Sequence, residues 1–208
     1  SQGKTPDSVA AMARDAVAFI HALGFDQVDL LGFSMGGFIA QVIAQEEPQL
    51  VRKIILAGTG PAGGEGIDKV TRLTMSDTIK AALTFKDPKE NLFFTKTANG
   101  KSAARQFVKR LKERKGNRDK AISPLAFRTQ LKAIHAWGTQ KPADLTTIQQ
   151  PVLVVNGHHD RMVPSSNSVD LAHRLPNAQL RLYADAGHGA LFQYHKEFVG
   201  EVLEFLEA

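Results

Sequence analysis

Apolar residues recur along this chain in two rhythms. Val9, Met12, Ala16, Phe19 and Ile20 fall at helical spacing, with Thr5-Pro6-Asp7 ahead of them as a start signal and Gly24 as a stop. Val28–Phe33 then reads as a short buried strand, Met35–Gln45 as a helix ending before Pro48, and Val51–Leu56 as a second strand. The glycine-rich run Gly58–Gly66 leaves that strand and is expected to be a flexible hinge. Strand rhythm returns at Val152–Val155 and Gln179–Tyr183, each followed by a helix, Ser165–Arg174 and Leu191 to the end.

Strands alternating with helices predict an α/β fold, a parallel sheet with helices on both faces. Between residues 61 and 145 the pattern is helical only, with segments at Lys80–Phe85, Ser102–Arg114 and Pro124–Trp137 and a break at Gly116-Asn117. The chain therefore divides into an α/β core, residues 1–60 and 146–208, and a helical insertion, residues 61–145. Charge supports the division. The insertion holds 18 Lys+Arg against 8 Asp+Glu, a net of +10, whereas the remainder nets −5.

Composition narrows the chemistry. There is no cysteine, which excludes disulfides, thiolate nucleophiles and thiolate metal sites and makes the cytoplasm the expected location. No apolar run is long enough to span a bilayer, so no membrane partner is expected. The chain opens at Ser1 without an initiating Met, and upstream residues are expected to be missing from it.

Gly32-Phe33-Ser34-Met35-Gly36 matches G-x-S-x-G between a strand and a helix. A serine on so sharp a turn takes a strained backbone and needs small residues two positions either side. Its hydroxyl stands exposed, while the Met35 N–H points toward a developing oxyanion. A serine nucleophile needs a base, and the base needs a carboxylate. Asp160 lies just beyond the strand at Val152–Val155, and His188 just beyond the next strand. In a parallel sheet all three would reach the same, C-terminal edge. Asp185, three residues before His188, is the rival acid and is expected instead to shape that loop.

Other signals are weaker. Gly58-Thr59-Gly60-Pro61-Ala62-Gly63 fits G-x-G-x-x-G, but Pro61 removes a donor where a pyrophosphate would sit, so no dinucleotide cofactor is expected. His158 and His159 adjoin Asp160 without a distant cluster to complete a metal site, and no metal is expected. His21 and His173 are expected to be solvated, and His195 structural. The basic stretch Arg105–Arg118 reads as a solvated helix face in preference to a nucleic-acid or membrane-surface site, and Trp137 as a packing residue beneath the insertion.

Leu31–Gly37, the G-x-x-D within Pro151–Pro164, and Asp185-Ala186-Gly187-His188-Gly189 together resemble the α/β-hydrolase superfamily. The likeness is nearest to the group with esterases, cofactor-free haloperoxidase-type perhydrolases and enol-lactonases. It covers Thr5–Pro61 and Thr146–Ala208, and residues 61–145 match the family's variable cap only in position and character. The resemblance implies acyl transfer to Ser34 with His188 as base, Asp160 as its orienting acid, a small-molecule acyl substrate and no cofactor. The serine sets it apart from relatives that use aspartate to open epoxides or displace halide. It also implies strands upstream of Val28, and a loop carrying the second oxyanion donor, that this chain lacks. Without those strands Val28–Phe33 would present an unpaired edge. A vestigial site that only binds small molecules, and a basic module for an anionic partner, are the competing expectations. Substrate and oligomeric state are left open.

Overall fold

The computed structural model describes residues 5–113, 115–116 and 121–208. Strands β1 (Val28–Phe33), β2 (Val51–Ala57), β3 (Val152–Gly157) and β4 (Ala178–Tyr183) form one parallel sheet in that spatial order. Residue alternation splits the inner strands between two cores. Ile54, Leu56, Val152 and Val154 face α2 (Met35–Glu46) and α7 (Ser166–Arg174), with α1 (Val9–Ala22) packed on α2. Ile55, Ala57, Leu153 and Val155 face α8 (Ala190–Gln193) and α9 (His195–Glu207). Every residue of β3 is buried, as expected of a strand covered on both sides. β1 forms one edge of the sheet, with Leu31 exposed on it.

Among the described residues between β2 and β3 lie four α-helices: α3 (Val70–Leu83), α4 (Pro88–Phe93), α5 (Ala98–Glu113) and α6 (Pro124–Thr139). Ser123 caps α6, its hydroxyl accepting from the Ala126 N–H at 3.1 Å, and Asp87 caps α4 just ahead of Pro88. α5 buries Ala104, Phe107 and Val108 and turns Lys101, Arg105, Lys109 and Arg110 outward. Arg114, Asn117 and Arg118, at the end of that basic stretch and in the expected break, lie outside the described residues.

Several details correct the sequence reading. The first helix starts at Val9, and its cap is Ser8, whose hydroxyl accepts from the Ala11 N–H at 3.2 Å. Ser8 directly precedes Val9, the first residue of the buried stripe, and Thr5-Pro6-Asp7 stays ahead of the helix. α3 begins ten residues before Lys80, because its inward face carries Thr74 and Asp77 among Val70 and Ala81, which hides the amphipathic pattern. Phe85 lies beyond it, in a left-handed conformation with φ 53°. α4 was not expected at all. The last helix is broken at Tyr194, and His195, expected to be structural, is exposed at the start of α9.

The glycine run after β2 is not a flexible hinge. Residues 58–62 are buried, and the Gly60 carbonyl accepts from Gln41 Nε2 at 3.1 Å and Trp137 Nε1 at 3.3 Å. Gly63 N–H donates to the Trp137 carbonyl at 2.9 Å, and Asn167 Nδ2 to Glu65 O at 2.9 Å. Glycine is needed here for close approach: a Cβ on Gly60 would lie 2.9 Å from Asn167 Cβ. Trp137 also stacks on Phe38 of α2, 5.2 Å between centroids at 16°. The indole thus joins α6, α2 and the post-β2 segment, with Val9, Ile67, Val70 and Met162 in the same apolar cluster. Trp137→Ala should cost about 3–5 kcal/mol in urea denaturation followed by circular dichroism. Trp137→Phe, which keeps the stack and loses the bond to Gly60, should cost roughly 1–2 kcal/mol.

Candidate active site

Ser34 follows β1 and caps α2 with φ 54° and ψ −120°, a strained backbone for a residue with a side chain. The turn holds that shape from both sides. Ser34 N–H donates to Ala57 O at 2.9 Å, and the buried Thr59 hydroxyl donates to Ser34 O at 2.8 Å. Gly32 has no room for a side chain, since a Cβ there would lie 2.5 Å from Gly36 O. Gly37 likewise faces Thr59 Oγ1 and Cγ2 at 2.5 Å. Gly36, by contrast, faces open space. The steric demand therefore falls on Gly32 and Gly37, and the second glycine of the motif is not the tight one. Met35 is the first residue of α2, so its N–H has no acceptor within the helix and joins the positive end of the helix dipole.

Asp160 and His188 meet in the interior. Asp160 Oδ2 accepts from His188 Nδ1 at 2.8 Å, while Oδ1 accepts from the N–H groups of Met162 at 2.8 Å and Val163 at 3.0 Å. Both side chains are buried, His188 to 1% exposure. Their loops are laced by backbone bonds from His158 N–H to Tyr183 O and from His159 N–H to Ala186 O, both 2.9 Å. Gly157 permits that approach, because a Cβ on it would lie 2.3 Å from Gly187 O. The imidazole packs against Phe33 at 4.9 Å and Phe93 at 5.7 Å between centroids. Phe33 is the residue before Ser34, so the serine turn abuts the histidine. Among the described residues neither the Ser34 hydroxyl nor His188 Nε2 makes a hydrogen bond. Catalytic contacts of this kind commonly tighten only around a substrate.

Asp185 does not compete for His188. Its carboxylate accepts from Thr95, Thr97 and Asn99 at 3.0–3.2 Å, fastening the α4–α5 connection to the histidine loop. Burial alone would raise its pKa, but the bonds from Asn99, Thr97 and Thr95 outweigh that and hold it below the usual carboxylate value. His158 and His159 are exposed with rings 5.2 Å apart, and Asp160 turns away from them toward His188.

Sequence reasoning missed three supports. Buried Asn156 donates to Val163 O at 3.2 Å and Ser168 Oγ at 3.1 Å and accepts from Gly157 N–H at 2.8 Å, bracing the Asp160 loop. Arg161, next to Asp160, pairs with the buried Asp77 of α3. Phe93 closes over His188 and accepts from Gly189 N–H at 2.7 Å through its carbonyl. Beside this assembly opens a cleft of about 760 Å³, lined by Asp160, His159, Arg161 and His188 and by residues of the 91–97 segment other than Phe93, among them Leu92, Phe94 and Lys96. Ser34 is not part of its lining.

A family model described as the alpha/beta hydrolase fold matches residues 1–193. The chain belongs to the α/β-hydrolase family. It is 32% identical over 206 residues to a putative carbamate hydrolase RutD from Caulobacter sp. (strain K31), covering 97% of this chain and 73% of that one. A 2-hydroxy-6-oxononadienedioate/2-hydroxy-6-oxononatrienedioate hydrolase 1 from Dechloromonas aromatica (strain RCB) is 30% identical, covering 93% and 67%. Among solved structures, an alpha/beta hydrolase fold protein from Chitinophaga pinensis superposes with a TM-score of 0.92 at 40% identity, covering 99% and 74%. Est816, described as an N-acyl homoserine lactone degrading enzyme, gives 0.75 at 25%, covering 99% and 78%. By family this α/β-hydrolase is a hydrolytic enzyme.

Two outcomes test the geometry. Gly36→Ala should leave stability unchanged or raise it by up to about 1 kcal/mol, whereas Gly32→Ala should cost several kcal/mol, on the order of a severe backbone clash. Equal denaturation midpoints for the two variants would contradict the packing. Second, a carboxylate held low in the folded state adds stability that is complete above its unfolded pKa of about 3.9 and is lost as pH falls through the lower folded value. Asp185→Asn should therefore be destabilising at neutral pH and show a shallower loss of stability below about pH 4 than the parent.

Proposed function

We propose that Ser34, His188 and Asp160 form a catalytic triad that hydrolyses a small carboxylic ester, thioester or lactone. The observation carrying this reading is the buried His188–Asp160 hydrogen bond set against the strained turn of Ser34. Asp160 fixes the imidazole with its Nδ1 proton inward, leaving Nε2 as the base. Ser34 Oγ attacks the carbonyl carbon and its proton passes to Nε2. The oxyanion is met by the Met35 N–H, and Asp160 stabilises the imidazolium without taking its proton. The tetrahedral intermediate collapses, the leaving oxygen or sulfur takes the proton from Nε2, and an acyl-Ser34 ester is left. Water, deprotonated by Nε2, then releases the acid and regenerates the serine.

Residues 61–145 act on this reading as a cap, with residues 91–97 forming one wall of the cleft beside His188. The similar proteins support hydrolysis of a small carbonyl compound, being named for a carbamate, for oxo-dienoates and for an N-acyl homoserine lactone, of which the lactone falls in the proposed substrate class. Cleft size also fits a small molecule, within the several hundred cubic ångströms usual for such sites.

A fluorophosphonate probe followed by intact-mass analysis tests the assignment. One adduct on the parent chain, mapped to Ser34 and missing from folded Ser34→Ala, is expected. Asp160→Asn should slow the labelling by about 10⁴-fold, as expected when the imidazole loses its orienting acid. Labelling at another residue, or p-nitrophenyl acetate turnover by Ser34→Ala equal to the parent's, would overturn it.

A further inference from the structure

α3 is apolar on two opposite sides. Val70, Thr74 and Ala81 turn inward with Asp77, while Met75, Ile79 and Leu83, spaced four residues apart, form an outward stripe. Exposure along the stripe climbs from 56% at Met75 through 61% at Ile79 to 75% at Leu83, and Phe85 beyond the helix end is 98% exposed. An ordinary surface helix is polar on its outer side, so a contiguous outward apolar stripe marks an interaction face. Met75 also shares a groove of about 680 Å³ with Pro124, Phe127 and Leu131 of α6, and Ile122 and Leu125 beside Pro124 are exposed as well.

On α3 and α6 the exposed charges are cationic, and Asp87, just after Lys86, is half-buried and paired with Lys89. Arg72, Lys80 and Lys86 are exposed on and just after α3, and Arg128 and Lys132 on α6. The acid on α3, Asp77, is buried and paired with Arg161 and, at 3.7 Å, with the exposed Lys80 of its own helix, and α6 has no acid. A second copy of the chain seated here would bring cation against cation, which disfavours self-association. The most exposed apolar side chains, Leu83 and Phe85, project at the end of a helix and do not line a pocket, a shape suited to insertion between lipid headgroups and less to gripping a peptide. No helix among the described residues is long and apolar enough to cross a membrane, so the contact is peripheral.

We propose that the outer face of α3, from Met75 to Phe85 with the flanking cations of α3 and α6, docks on the surface of an anionic lipid bilayer. This reverses the expectation of no membrane partner. It rests on exposure that the pattern of α3 concealed, and it stands independently of the triad. The test is co-sedimentation of the full chain with vesicles of phosphatidylcholine, alone or mixed with phosphatidylglycerol. Binding is expected to the mixed vesicles only, weakening as salt rises. Lys80→Gln and Lys86→Gln should each weaken it about fivefold, the equivalent of about 1 kcal/mol per surface cation. Phe85→Asp should weaken it at least about tenfold. Phe19→Asp, on the exposed side of α1, should bind as the parent does, and circular dichroism should show every variant folded. Equal binding to neutral vesicles, equal loss in Phe19→Asp, or no vesicle binding would overturn the proposal. So would retention on immobilised polyglutamate without vesicle binding, or a dimer without lipid that Phe85→Asp dissociates.

Discussion

Burying the carboxylate of Asp160 constrains this molecule more than any other single contact. An ionised carboxylate taken out of water costs several kcal/mol or more unless every lone pair finds a donor. Here Oδ2 takes the imidazole Nδ1–H and Oδ1 takes two backbone N–H groups. Those two donors exist only because the chain doubles back at Met162 and Val163, and Asn156 holds that loop by bonding Val163 O. The third donor reaches Asp160 because Gly157 lets the β3 and β4 loops touch through their backbones. A side chain on Gly157 would push the loops apart, whereas one on Gly187 would meet Phe93 O of α4 at 2.9 Å, so the first glycine serves the hydrogen bond and the second the contact with α4.

The same requirement ties the helical insertion to the sheet. Arg161 adjoins Asp160 and pairs with Asp77 on α3, a buried carboxylate whose other partner is Lys80 of its own helix at 3.7 Å. Asp185 adjoins the histidine loop and holds the connection between α4 and α5 through three side chains. Phe93 of α4 closes over His188, and Trp137 of α6 reaches the Gly60 carbonyl beside the serine turn. Each helical segment of the insertion is therefore attached to a loop at the C-terminal edge of the sheet. A shift of one helix would carry strain directly into those loops, because packed interiors transmit displacement and do not absorb it.

Much of this was legible in the sequence, and the unread part has a physical pattern. β-Strands that are buried on both faces announce themselves as apolar runs, and Val152–Val155 could hardly be anything else. The serine turn and the Asp160 and His188 loops were readable because their residues follow strands at fixed offsets. Contacts between distant segments were not. Asp77 and Arg161 are 84 residues apart, and nothing local marks either as the other's partner. The glycines after β2 looked like freedom but mark tight packing against Asn167 and Trp137, since a missing side chain permits flexibility and close approach alike. Gly36 shows the converse: a motif glycine need not be the one under steric pressure. α3 hid its start because a buried, paired Asp77 reads in sequence as a surface position.

On the proposed reading, with Ser34 as nucleophile, discrimination between substrates has to come from outside the triad. Asp160 is held by His188 Nδ1 and by the Met162 and Val163 N–H groups, and the turn around Ser34 is fixed by backbone and glycine packing that leaves little to vary. The cleft beside His188 takes its remaining lining mostly from residues 91–97, on α4 and the segment leading to α5, with His159 and Arg161 opposite. That segment combines Leu92 and Phe94 with Lys96, Thr95 and Thr97, an apolar wall with a few polar groups, which is how small-molecule sites divide affinity from orientation. Thr95 and Thr97 are already committed to Asp185. Their side chains cannot change without loosening the histidine loop, whereas Leu92, Phe94 and Lys96 make no hydrogen bond to either loop. On the proposed reading, selectivity then falls on Leu92, Phe94 and Lys96 of that short segment, with the chemistry at the sheet edge beneath it.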